Sequence, residues 1–381
     1  MSVAVKSSRT QVWLENLGEW SWPGTSGGGA AEALPPTWVP TFPPRLEPAA
    51  AGPGATAAPG ARQPGRAIAR RLAWGAVAAT LAVLCVALAL EGPPSVERSL
   101  GIRTLGPSPS IRAAREDAAI SRAAAASARS LPTLTVASQD GAGSSIDAAS
   151  YPSAALRGSG SFLVYLPAGY ASTTRRYPVL YLLTGNDQSD TAFLQVGLQG
   201  ELDQLIARHA IPPMIAVMIQ GGPGTNNWHA MAGRHYESYV VEVQELVDRM
   251  LPTLANRDGR AIAGDSMGGY GAMSEALARP YRFGVVESWL GFFNGLEGQL
   301  RADQPIISRL GLHAFLYGGA EDKIANPEED APFAAALRAA GASAHSAVYP
   351  GEHNLETVHA HLAGMLVYAG RALSRDAEPV S

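Results

Sequence analysis

The residues Gly264-Asp265-Ser266-Met267-Gly268 spell G-x-S-x-G directly after the run Arg260-Ala261-Ile262-Ala263, so a strand feeds a serine into a sharp turn. Small residues two before and two after Ser266 let the backbone bend tightly enough to lift its hydroxyl clear of a sheet and set it at the start of a helix. In a chain with 41 glycines that pattern acquires meaning only with partners. A serine hydroxyl at its ordinary pKa is a weak nucleophile and needs a base within hydrogen-bond reach. His353 is the candidate base, because imidazole titrates near neutral pH and can return the proton to a leaving alcohol. Asp322 is the candidate carboxylate that fixes the ring's tautomer and stabilises the imidazolium. Glu321 beside it is the alternative acid, and Glu328, Glu329 and Asp330 follow in the same loop. The backbone N–H groups of Met267 and Asn186 are the candidate oxyanion hole.

These residues need a scaffold that brings them to one edge. Pro178-Val-Leu-Tyr-Leu-Leu183 and Met214-Ile-Ala-Val-Met-Ile219 are nearly continuous apolar runs, as expected of strands buried on both faces. Strands are also expected at residues 131–136, 161–166, 260–263, 284–289, 313–317 and 344–349. Helical patterns separate many of them: residues 191–209, the stripe Tyr236, Tyr239, Val240, Val243, Leu246, Val247 and Met250, then 267–278, 332–340 and 355–373. Strands alternating with helices imply crossover connections and a mostly parallel sheet with helices on both faces. In such a sheet the reacting groups belong at the carboxyl ends of strands. Asn186, Ser266, Asp322 and His353 each fall just after a strand, in the chain order serine, acid, histidine. Trp228 and Asn227 lie on the loop after the second apolar run and are candidate substrate contacts. His313 and His345 fall on strands, His359 and His361 on the last helix, and His209 at a helix end, where packing roles are expected.

The first part of the chain differs in kind. Residues 1–67 are rich in Ala, Pro and Gly and cannot bury enough apolar surface to offset ordering entropy, so a disordered tail is expected. The stretch that begins at Leu72 and ends at Leu90 carries no charge over 19 residues, enough for a helix to span a bilayer core of ~30 Å. A transmembrane helix is therefore expected over residues 68–91. Arg62, Arg66, Arg70 and Arg71 precede it, which places the N-terminus in the cytoplasm and the bulk of the chain outside. Secretion after cleavage near Ala87-Leu88-Ala89, or export through Arg70-Arg71, is the alternative. Residues 92–149 read as a linker whose Ala-rich part is a helical spacer, and residues 150–376 as the folded domain.

Composition narrows the chemistry. Residues 146–381 carry 16 Lys+Arg against 24 Asp+Glu, an acidic balance that argues against a nucleic-acid partner. Cys85 is the only cysteine, so an internal disulfide and a cysteine-based metal site are excluded. No metal-binding or dinucleotide spacing occurs, and no cofactor or metal is expected. The expected ligand is a small-molecule, lipid or sugar ester.

Phe162-Leu-Val-Tyr-Leu-Pro-Ala-Gly-Tyr170, Tyr177-Pro-Val-Leu-Tyr-Leu-Leu183, Gly264-Asp-Ser-Met-Gly-Gly-Tyr-Gly-Ala272 and Pro350-Gly-Glu-His353 occur in the order found in one known family. From about residue 151 to 373 the chain resembles the "Putative esterase" family of α/β-hydrolases, which includes S-formylglutathione hydrolase, ferulic acid and enterobactin esterases, and mycolyltransferases. The resemblance implies an α/β-hydrolase fold, with Ser266 as nucleophile and His353 as base, in a carboxylic ester hydrolase or an acyltransferase. Two departures stand out: Thr184-Gly185 replaces the family's usual His-Gly or Asp-Gly, and Asn354-Leu355 replaces H-x-W after His353.

Overall fold

The computed structural model describes residues 108–126, 131–172, 174–221 and 228–376. In chain order these form α1 (Pro109–Ala126), β1 (Thr135–Gln139), β2 (Ser145–Ser153), β3 (Gly158–Leu166) and β4 (Val179–Leu183). Next come α2 (Ala192–Gln195), α3 (Leu198–Ala207), β5 (Ile215–Ile219), the short ribbon β6 (Ala230–Met231) and β7 (Arg234–His235), and α4 (Tyr236–Met250). The second half contains β8 (Arg260–Asp265), α5 (Met267–Ala278), β9 (Val285–Trp289), α6 (Leu296–Leu310) and β10 (His313–Gly319). It closes with α7 (Asp330–Ala339), β11 (Ser343–Tyr349) and α8 (Leu355–Asp376).

Nine strands pair in the order β1-β2-β3-β5-β4-β8-β9-β10-β11. The links among β1, β2, β3 and β5 are antiparallel, and every link from β5 to β11 is parallel. β4, β5, β8 and β9 are buried at every position, and β4 and β5 are accordingly apolar without alternation. Tyr181 and Leu183 of β4 join the core under α4 and α5, so the intervening Leu180 and Leu182, also fully buried, face the opposite layer. Helix α8 packs across β8, β9 and β10 and against α3. After β4 the chain goes out to β5 and then returns to β8 on β4's other side. In sheets of this kind ligands bind at such a switch point, here beyond the carboxyl ends of β4 and β8.

Two elements were not legible as helix or linker. α6 carries Pro305 inside it, which reads as a breaker, yet Leu296, Leu300, Asp303 and Ile307 are buried at helical spacing. The stretch expected to be a free linker supplies α1, β1 and most of β2, so the folded part reaches back to residue 109 instead of beginning at 150. α1 is not a spacer, because it packs on α4, α5 and α6. Its docking stripe is Ser110, Ala113 and Asp117, small or polar residues whose spacing carries no apolar signal. The Ser110 hydroxyl donates to buried Asp303 at 2.5 Å. Asp117 accepts from Arg279 at 2.9 Å and Tyr281 at 3.0 Å, and also pairs with Arg282. Removing one partner of a buried ion pair strands the other charge. Asp117→Ala is therefore expected to cost about 3–5 kcal/mol, read as a fall in urea midpoint. An unchanged midpoint would mean that α1 contributes nothing to the body.

Among the described residues no helix is long and apolar enough to cross a membrane. The stretch from Leu72 to Leu90 and the tail before it lie outside those residues.

Candidate active site

Ser266 stands between β8 and α5 with φ 54° and ψ −118°, a backbone region that L-residues rarely adopt. Its N–H donates to the Trp289 carbonyl at 2.8 Å, which ties the turn to β9. The flanking glycines make the turn possible. A Cβ on Gly264 or on Gly268 would collide with the Leu183 carbonyl oxygen of β4. Ser266 is half-buried, as expected of a hydroxyl that a ligand must reach.

His353 and Asp322 converge on this serine from the loops after β11 and β10. Ser266 Oγ lies 2.7 Å from His353 Nε2, and His353 Nδ1 lies 2.7 Å from Asp322 Oδ2. The Asp322 side chain is fully buried, and its Oδ1 accepts the Ile324 and Ala325 N–H groups at 2.8 and 2.9 Å. These bonds leave Oδ2 for the imidazole. The adjacent carboxylate points elsewhere: Glu321 accepts the Gly351 N–H at 2.5 Å and braces the loop that carries His353. Asn354, where the expected aromatic pattern is missing, accepts the Thr357 N–H at 2.9 Å at the start of α8. Of the other histidines, His359 bonds the Val196 carbonyl at 2.8 Å and His361 stacks on Tyr349 with ring centres 4.3 Å apart.

The two candidate oxyanion donors lie on neighbouring strand ends. Leu183 of β4 pairs in register with Gly264 of β8, so Asn186 and Met267 each stand three residues past that pair. Met267 opens α5, and first-turn N–H groups have no acceptor within their own helix. Asn186 is exposed, and its side chain donates to Asp187 at 2.9 Å.

Trp228 requires a correction. It is 2% exposed, and its Nε1–H donates to the Thr184 carbonyl at 3.0 Å. Its ring fills the space beside Gly271, where a Cβ would come within 2.6 Å, and meets Tyr236 edge-on. Trp228 is thus a buried support for the loop after β4, not a surface contact for substrate. Asn227 lies outside the described residues. From sequence Asp265 reads only as a structural neighbour of the nucleophile, and Gln188 carries no signal. Asp265 is 3% exposed and accepts from Gln188 Nε2 at 2.7 Å and from the Gly185 N–H at 3.2 Å. Burial pushes its carboxyl up to about 6, against the lowering effect of those two hydrogen bonds. The apolar flanks of the serine motif gave no hint that this neighbour was more than a spacer.

The sheet order, its crossovers and the strand-turn-helix around Ser266 are those of the α/β-hydrolase fold. Residues 153–369 match the family model described as "Putative esterase", and the chain belongs to that family. It is 32% identical over 200 residues to an endo-1,4-beta-xylanase/feruloyl esterase of Xylanibacter ruminicola, covering 49% of this chain and 26% of that protein. It is 32% identical over 135 residues to an esterase of Mycobacterium tuberculosis, covering 34% of this chain and 28% of that protein. The chain therefore spans roughly a quarter of the length of these curated relatives. A solved ferulic acid esterase overlays with a TM-score of 0.55 at 23% identity, covering 60% of this chain and 99% of that one. At that identity the likeness is one of fold.

Proposed function

We propose that the folded domain is a carboxylic ester hydrolase that works through an acyl-enzyme on Ser266, with His353 as base and Asp322 as its carboxylate. The single observation that carries this reading is the unbroken chain from the Ser266 hydroxyl through both nitrogens of His353 to the buried Asp322, at 2.7 Å in each step. Family membership supports the reaction class.

In the first half-reaction Ser266 Oγ gives its proton to His353 Nε2 and bonds to the ester carbonyl carbon, whose π electrons move onto oxygen. The Met267 and Asn186 N–H groups receive that oxyanion, and one such donor is worth roughly 10²- to 10³-fold in rate. Collapse expels the alkoxide, which takes the proton from Nε2 and leaves as the alcohol, with the acyl group on Ser266. Water then repeats the steps with His353 as base and frees the acid. Throughout, Asp322 holds the Nδ1–H and the imidazolium.

The first half-reaction is common to hydrolysis and to acyl transfer onto a sugar or lipid hydroxyl. One experiment separates them and tests the proposal: incubation with p-nitrophenyl acetate and methyl ferulate, with and without glucose or trehalose, followed by mass spectrometry. Free acid in every arm is the expected result, with ferulate included because a relative's name points to feruloyl esters. An acylated sugar as the main product would make the domain an acyltransferase, and no turnover of either ester would refute the enzyme proposal. The charge-free stretch from Leu72 to Leu90, with arginines before it, supports a tether that holds this domain outside the cytoplasmic membrane.

A further inference from the structure

Asp265 is buried beside the serine yet belongs to no part of the proton relay. Burying a carboxylate is costly unless it is paired, and the hydrogen bonds of this one run to a loop. One goes to the peptide group between Thr184 and Gly185, and the other to Gln188, which bonds the same group. Its carbonyl accepts from Trp228 Nε1 at 3.0 Å. Its N–H is shared between Asp265 Oδ1 at 3.2 Å and Gln188 Oε1 at 3.1 Å. Gln188 closes the figure by donating Nε2 to Asp265 Oδ2 at 2.7 Å. The fit is close, since a Cβ on Gly185 would fall 2.8 Å from Gln188 Nε2 and 2.9 Å from Asp265 Oδ2. A peptide plane held at both ends cannot rotate, and the next plane, which carries the Asn186 N–H, is held in turn because its Gly185 carbonyl accepts the Gln188 N–H at 3.4 Å.

We infer that Asp265 and Gln188 are a positioning pair that locks the 184–185 peptide plane, and through it aims the Asn186 N–H at the acyl oxygen on Ser266. The inference rests on the proposed role of Ser266. Because Asp265 precedes the nucleophile directly, one residue ties the loop that gives one oxyanion donor to the turn that gives the other. The pairing has a polarity. Asp265 only accepts, Gln188 both accepts and donates, and the Gly185 N–H only donates. In Asp265→Asn an NH₂ group must face another donor whichever way the two amides turn. Gln188→Glu sets two acceptors against each other. The double variant Asp265→Asn with Gln188→Glu restores a donor between acceptors.

The test is steady-state kinetics on p-nitrophenyl acetate for the wild type, both single variants and the double variant, with fluorophosphonate labelling of each and melting temperatures alongside. Each single variant is expected to lose about 10- to 100-fold in kcat with KM within about threefold, since a misaimed oxyanion donor affects the transition state more than the bound ester. The double variant is expected to recover to within several-fold of wild-type kcat. A merely structural pair would not give recovery in kcat without a matching recovery in melting temperature. If Asp265→Asn does not fold, Gln188→Glu and the double variant carry the test. Single variants within threefold of wild-type kcat, or a double variant no better than the weaker single variant, would overturn the inference. In either case a wild type that still labels at Ser266 leaves the parent proposal standing, whereas a wild type that never labels removes both.

Discussion

Ser266→Ala is expected to lower kcat on p-nitrophenyl esters by about 10⁴- to 10⁶-fold while the far-ultraviolet circular dichroism stays that of the folded domain. The magnitude follows from the way a nucleophile and its base act as a unit, in which removing one forfeits nearly all that both supply. What survives is binding and the oxyanion site, worth about 10³- to 10⁴-fold over water in enzymes of this type. Ser266 Oγ is the atom that bonds the acyl carbon in the proposed reaction, and among the described residues it is the hydroxyl bonded to His353 Nε2. A loss of less than tenfold would mean that ester turnover does not pass through this serine.

The two adjacent carboxylates give the second large effect. Asp322→Asn is expected to cost about 10³- to 10⁴-fold in kcat, because an amide at that site no longer enforces the imidazole tautomer that presents a lone pair to Ser266. The asparagine also fits the cavity, since Asp322 Oδ1 would still receive the Ile324 and Ala325 N–H groups. Glu321→Gln is expected to cost less than about tenfold, because its partner is the Gly351 N–H and an amide oxygen can accept that bond. Measuring kcat for both variants on one ester decides the assignment, and a greater loss in Glu321→Gln would reverse it.

Much of this arrangement was legible before any coordinates. The runs that became β4 and β5 are apolar at successive positions because both faces of each are covered, and that pattern survives in a single sequence. The serine turn was legible because its glycines are demanded by close approach to the β4 backbone, and the histidine because it follows a strand in the right order. What escaped reading has a common cause. Asp117, Asp265 and Trp228 act through partners that lie far away in sequence: Arg279 for the first, Gly185 and Gln188 for the second, and the Thr184 carbonyl for the third. A polar residue in a helix without an apolar stripe, or beside a catalytic motif, looks solvated until the fold supplies its partner. The preference for Asp322 over Glu321 was narrow for a related reason, since alternation says that neighbours point apart but not which one faces inward.

In the proposed reaction Ser266, activated by His353, carries the acyl group. Its most direct test is reaction of the purified protein with a fluorophosphonate, followed by intact mass measurement and peptide mapping. One adduct per chain, on the peptide that contains Ser266, absent in Ser266→Ala and greatly slowed in His353→Ala, is the predicted result. No adduct on the wild type, or an adduct of equal yield in Ser266→Ala, would contradict it.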